Sequence, residues 1–212
     1  RIRRDPVAPP VRAVAFDAAV ERGRREERMR IAQDLHDDIG ARLLTLMYQA
    51  PTREMEDYLR HTLKDLKTLT RGLAAPNHRL SHAVAEWKAD ISQRLAAADC
   101  ELGWSFTYDR DVELSVVQWS ALTRVLRELV SNAIAHAKAT HVTIDASLEH
   151  DVLTLNVIDN GCGRNPQGWS HGLGLGGVRK RVRQLGGYVE WRENASQGIA
   201  CRVVIPNFAG AN

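Results

Sequence analysis

The sequence predicts an α+β chain, with a helical hairpin over residues 1–76 followed by an α/β sandwich over residues 82–212. Three observations carry this expectation. Residues 11–50 contain no proline and only two isolated glycines, Gly23 and Gly40. Leucines at 59, 63, 66, 69 and 73 then step by three or four, the period of one helix face. After residue 81 the pattern changes to short alternating runs interleaved with amphipathic ones, as layered α/β domains require.

Residues 11–50 read as one helix, roughly 60 Å long at ~1.5 Å per residue. Pro9 and Pro10 precede it and Pro51 ends it, since proline cannot donate within a helix interior. Its second half carries Ala32, Leu35, Ile39, Leu43 and Leu46 as one stripe. A second helix covers 53–73. One hairpin cannot cover both its stripes, so two copies are expected to pair into a four-helix bundle, a homodimer. Residues 21–30 are almost wholly charged, with Glu21/Arg25 and Glu26/Arg30 at i, i+4 spacing. They read as a solvated helix face.

Gly72 to Ser81, with Pro76 and Asn77, reads as a linker. Beyond it, helices are expected at 83–98, 116–137 and 178–185. The first has Val84, Trp87, Ile91 and Leu95 on one face. Strands are expected at 101–108, 141–148, 152–159, 188–193 and 200–205. Trp87, Trp104, Trp119 and Trp191 read as core or contact residues.

Composition excludes several classes. Apolar residues are 44% and charged residues 26%, as in ordinary globular proteins. A net charge of +3 spread among acids gives no case for a nucleic-acid partner. Cys100, Cys162 and Cys201 form neither a metal-ligand spacing nor an even disulfide set, which suits a reducing compartment. No run approaches 18 apolar residues. The chain begins without Met, so the expectation is a cytoplasmic piece of a longer protein, anchored in a membrane only through a preceding region, if at all.

Four segments carry chemistry. In Asp34-Leu35-His36-Asp37-Asp38, His36 follows a stripe residue and should reach solvent. A nearby carboxylate can take the Nδ1 proton and leave Nε2 as nucleophile. Asp34, Asp37 and Asp38 cannot join His36 around one metal ion, because adjacent helical residues diverge by ~100°. In the second segment, Glu128, Asn132 and His136 stand at i, i+4, i+8, opposite the core-type residues Leu129, Val130, Ile134 and Ala137. A polar row of this kind lines a cleft or faces solvent. An amide oxygen is a ligand Mg²⁺ accepts together with phosphates and water.

The third segment, Asp159-Asn-Gly161-Cys-Gly163, ends a strand in a carboxylate and turns through glycines, leaving room for a flat ring. A plain turn would use the same residues. The fourth, Gly172-Leu173-Gly174-Leu175-Gly176-Gly177, leads into a helix whose first amides could meet phosphates. It also satisfies GxGxxG, but the polar stretch 165–170 precedes it where a dinucleotide fold needs a strand.

In this order and spacing, the four segments resemble the NarX/DesK-type sensor histidine kinases, whose ATP-binding domain belongs to the gyrase, Hsp90, histidine-kinase and MutL superfamily. The resemblance covers roughly residues 28–206. It implies that His36 is the phosphoacceptor and Asp37 its activating base. Asn132 and Glu128 would hold Mg²⁺, His136 would approach the phosphates, and Asp159 would bind the adenine amine beside Gly161 and Gly163. Residues 164–171 would be a lid over ATP, closed by Gly172, Leu173, Gly174 and Leu175. Gly198 would sit in the turn before the last strand. The phosphoryl group would pass from His36 to an Asp of a response regulator, one with a helix-turn-helix output domain.

Two departures bear on function. Relatives with phosphatase activity carry a Gln four residues after the acid that follows the histidine. Here that position is Ala41. The helix also reaches Pro51 within 15 residues of His36, so the bundle is expected to be about a heptad short. Two rival readings are a nucleotide-sensing scaffold without catalysis, which should have lost His36 or Asn132, and an ATPase without phosphohistidine, which would not need the hairpin.

Overall fold

The computed structural model describes residues 11–74, 78–163, 166 and 173–209, with side chains from residue 19 and excepting those of 173 and 174. The chain divides into two compact units, residues 1–76 and 77–212.

The first unit is a helical hairpin. Helix α1 (Val11–Asp34) passes into a π-helical turn at Leu35–Ile39 and continues as α2 (Gly40–Tyr48). Pro51 forbids continuation, and the Thr52 hydroxyl accepts the Met55 amide at 3.2 Å to cap α3 (Arg53–Ala74). α1 and α2 both pack on α3.

Within a single hairpin the π turn splits the expected stripe. A π turn accommodates one extra residue, which advances everything after it around the helix. Ala32 is buried and Leu35 half-buried as expected, but the inward positions after the turn are Gly40, Leu43 and Met47. Ile39 and Leu46 point outward, 41% and 51% exposed. Leu59 is buried on α3, while Leu69 is 38% exposed. The charged segment also pairs differently. Glu21 meets Arg24 and Arg28, and Glu27 meets Arg30 at 2.8 Å. On an exposed face such pairs contribute little, so long side chains choose among neighbours freely.

The second unit begins before the expected helix. Arg79 bridges Glu113, the Leu80 amide donates to the Val112 carbonyl at 2.8 Å, and α4 runs from Leu80 to Ala96. There follow β1 (Glu101–Tyr108), α5 (Val116–Asn132), a second π turn (Ala133–Ala137), β2 (His141–Glu149), β3 (Val152–Asp159), α6 (Leu173–Gln184), β4 (Tyr188–Glu193) and β5 (Ile199–Ile205). The sheet order is β1-β2-β3-β5-β4. β1 lies parallel to β2 and the other pairs are antiparallel.

Alternation decides the layers. Val142, Ile144, Ala146 and Leu148 of β2 and Leu153, Leu155 and Val157 of β3 turn one face of the sheet into the core. Trp87, Ile91 and Leu95 of α4, Val125, Leu126, Leu129 and Val130 of α5, and Val178 and Val182 of α6 supply the other side. Each fully buried Leu or Ile contributes about 1.5–3 kcal/mol. Trp87 also donates its ring N–H to Thr123 at 2.8 Å, so its polar edge is satisfied. α5 starts with a capping box in which Ser115 and Gln118 satisfy each other's backbone amides. Gln118 reaches on to the Phe208 carbonyl at 2.7 Å, tying the helix start to the end of the domain.

Candidate functional site

His36 lies within the first π turn and is exposed, with Asp34, Asp37 and Asp38 also exposed. Among the described residues, no hydrogen bond or ion pair joins His36 to Asp37. The two occupy adjacent helical positions, and their side chains diverge. Ala41 is exposed; its carbonyl accepts the Thr45 hydroxyl at 3.0 Å.

The nucleotide-type segments meet at the end of α5. Glu128 and Asn132 are half-buried on α5, and His136 is exposed in the second π turn. The opposite positions Leu129, Val130 and Ala137 are buried, and Ile134 packs on the core. Among the described residues, Nδ2 of Asn132 is buried and donates no hydrogen bond. An unsatisfied buried donor costs about 1–3 kcal/mol, so it points to a missing acceptor. Lys138 then adopts a left-handed conformation, φ 51°, which ends the helix.

That end is the anchor for the turn after β3. The Ala137 carbonyl accepts the Cys162 amide at 2.8 Å. Gly161 is pressed so close that a Cβ there would lie 2.8 Å from the Ala137 carbonyl carbon. Asn160 staples the other side, its Oδ1 accepting the Thr140 and His141 amides at 3.0 Å each. Asp159 Oδ1 accepts the Gly161 amide at 2.9 Å and the Ile199 amide at 3.4 Å. Its Oδ2 takes no hydrogen bond among the described residues. Gly198 crosses beside it at φ +86°.

Sequence reasoning thus named Asn132, Asp159, Gly161 and Gly198, and the fold brings the turn against the α5 end. It gave Ala137 only a core position and Asn160 no role, yet both hold the turn. Their roles use a backbone carbonyl and an ordinary turn residue, neither of which leaves a motif. Leu173 and Gly174 form the first turn of α6, five residues before the helix expected at 178, and Leu175 is half-buried. Gly172, Trp169 and nearly all of the 164–171 segment lie outside the described residues.

Comparison with known proteins gives this arrangement a family. Residues 118–208 match the family described as histidine kinase-, DNA gyrase B-, and HSP90-like ATPase. The sensor histidine kinase YvfT of Bacillus subtilis is 31% identical over 191 residues, which cover 82% of this chain and 49% of that protein. Sensor histidine kinase DesK of the same organism is 25% identical over 196 residues, 86% of this chain and 51% of that protein. The chain therefore spans about half the length of these relatives. In fold it resembles the histidine kinase domain of the blue-light activated histidine kinase of Erythrobacter litoralis, with a TM-score of 0.58 at 18% identity over 90% of this chain and 99% of that one. From hairpin through sandwich, the likeness to sensor histidine kinases runs along most of the chain, and residues 118–208 carry the histidine kinase-, DNA gyrase B-, and HSP90-like ATPase domain.

Proposed function

We propose that this chain is the ATP-dependent phosphotransfer region of a two-component sensor kinase, phosphorylating its own His36 and passing the group to an aspartate of a response regulator. The buried, unpartnered Nδ2 of Asn132, on the helix whose end anchors the Asp159 turn, carries this reading. That amide has the chemistry of a phosphate-facing donor, while Asp159 Oδ2 suits an exocyclic amine.

The residues also fit Mg²⁺. Among the described residues, no three His, Cys, Asp or Glu side chains cluster around a common point. An ion here would share Asn132 Oδ1 and the half-buried Glu128 with phosphate oxygens, as Mg²⁺ typically does. When bound it would neutralise the charge of the leaving diphosphate. His136 would approach the phosphates, and Gly161 and Gly163 would form the wall beside the base. Gly172 and the start of α6, Leu173 through Leu175, would lie over the phosphates with the preceding lid. His36, exposed, would attack through Nε2, with Asp37 acting as base once substrate orders the pair. Ala41 offers no amide to orient water, so phosphatase activity towards the regulator is expected to be weak. A regulator with a helix-turn-helix output domain remains the expected partner.

The outward Ile39, Leu46 and Tyr58 support a homodimeric bundle, since 41–57% exposed apolar groups on one hairpin are unlike a finished core. Among the described residues no helix is long and apolar enough to cross a membrane. A reaction that draws on ATP belongs in the cytoplasm. The deciding experiment incubates the chain with γ-labelled ATP and Mg²⁺ and maps the acid-labile phosphate. His36→Gln should abolish labelling while leaving ATP binding intact. Full labelling of that variant would refute the assignment.

A further inference from the structure

The first π turn sits on the residue proposed to be phosphorylated, and a buried glycine follows it directly. Gly40, the first residue of α2, is buried, and a Cβ there would stand 3.9 Å from Cδ2 of Leu66 on α3. The space above Gly40 therefore admits a β-carbon at ordinary contact distance, and a longer side chain at this buried position would meet Leu66. Inward positions on either side of the turn run Ala32, Leu35, Gly40, Leu43, Met47. The step of five from Leu35 to Gly40 is the extra residue of the π turn.

An uninterrupted α-helix would do something else with the same sequence. It would bring Ile39, Leu43 and Leu46 inward, at steps of four and three. Everything after the turn would rotate relative to α1 by about one residue, ~100°. Two apolar stripes thus compete for α3 and share Leu43. The structure adopts the one in which the smallest side chain, not Ile39, meets Leu66. Because His36 is a member of the turn, that choice also fixes the direction in which its imidazole leaves the hairpin.

We infer that Gly40 is a positioning residue for His36: by letting Leu66 close against the helix backbone it selects the π turn, and the turn aims the imidazole. The functional part of this inference rests on the phosphotransfer reading; the register itself does not.

The test has two arms on the full chain. In the first, His36 phosphorylation is measured in wild type, Gly40→Ala, Gly40→Leu and Gly40→Leu/Leu66→Ala, with helix content and melting followed for each. Gly40→Ala should stay near wild type, because its contact would be ordinary. Gly40→Leu should lose about a hundredfold, the scale of a misaimed group. The Leu66→Ala partner should restore most of the loss while ATP affinity stays constant throughout. Wild-type labelling of Gly40→Leu, or no rescue by the second change, would overturn the inference.

In the second arm, Gly40→Cys/Leu66→Cys and Ile39→Cys/Leu66→Cys are oxidised, and the linked peptides are identified by mass. The 40/66 pair should link faster; faster linking of 39/66 would overturn the register. If wild type shows no phosphohistidine at all, the kinase reading falls, and the cysteine pairs still decide the register.

Discussion

Gly198 and Asp159 interlock across the β3–β5 edge. Gly198 holds φ +86°, and a Cβ at that position would fall 2.6 Å from Asp159 Oδ1 and 2.7 Å from its carbonyl carbon. The next amide, Ile199, donates to that same Oδ1 at 3.4 Å. The glycine is therefore what allows the carboxylate to be pinned through one oxygen, with no hydrogen bond to the other among the described residues.

Gly198→Ala should accordingly lose on two counts. Forcing an L-residue into that backbone costs about 1–3 kcal/mol, and the added methyl displaces the carboxylate. Thermal unfolding should show the first loss. Titration with a fluorescent ATP analogue should show affinity weakened by about tenfold or more, since one displaced hydrogen bond to a charged group costs ~1.5–3 kcal/mol. An alanine variant binding as tightly as wild type would contradict this placement of Asp159.

Asn132 should behave in the opposite way towards stability. Its buried Nδ2 has no partner among the described residues, so removing it relieves a desolvation cost. Asn132→Ala should melt at or slightly above the wild-type temperature while Mg²⁺-ATP binding and His36 labelling fall by about a hundredfold. A clear drop in melting temperature without loss of binding would make Asn132 an ordinary structural residue.

Asp90 links two helices by charge. Arg127 of α5 donates to it at 2.9 and 3.1 Å, and Arg94 of α4 at 2.8 and 3.4 Å. Burial pushes the Asp90 carboxyl up, but hydrogen bonds from Arg94 and then Arg127 outweigh it and hold the carboxyl below its ordinary value of 3.8. The folded state thus binds fewer protons than the unfolded one. The stabilisation is fully present above that ordinary value and is lost as pH falls through the lower folded value. Asp90→Asn should cost about 1–2 kcal/mol at pH 7. The gap between variant and wild type in thermal melts should close as pH drops below 4. A constant gap across that range would rule the carboxylate out as its source.

The cysteines should separate cleanly. Cys162 is exposed, whereas Cys100 and Cys201 are buried. Burial pushes Cys201 up to about 12, and burial followed by the nearby Asp159 and Glu101 charges raises Cys100. In native protein at pH 8, Ellman's reagent should titrate one thiol quickly, and Cys162→Ser should remove that phase. Bound ATP should slow it, because Cys162 lies in the turn that follows Asp159. Fast reaction of two thiols in the native state would contradict the burial.

Legibility followed the range of the interactions. The strands at 101–108, 152–159 and 188–193 could be read residue for residue, because alternation records which side of a sheet is dry. His36, Asn132 and Asp159 could be singled out only together, through the order of the four segments and the family it resembles, since each segment alone has an ordinary structural reading. Gly198 could be placed in a turn, but its contact with Asp159 could not be seen.

What the sequence determined by itself was the periodicity: two helical stripes, five strands, and the polar rows and glycine turns between them. These are local, since a residue's period depends on near neighbours and on water. What only the tertiary structure decided was phase and anchorage. Whether Ile39 or Gly40 faces α3 depends on the room left by Leu66, a residue 26 positions away. The Asp159 turn hangs on the carbonyl of Ala137, a group every residue carries. Packing at contact distance chooses among registers that the hydrophobic pattern leaves nearly equal, and a backbone carbonyl acquires a role only when another segment arrives within hydrogen-bond reach.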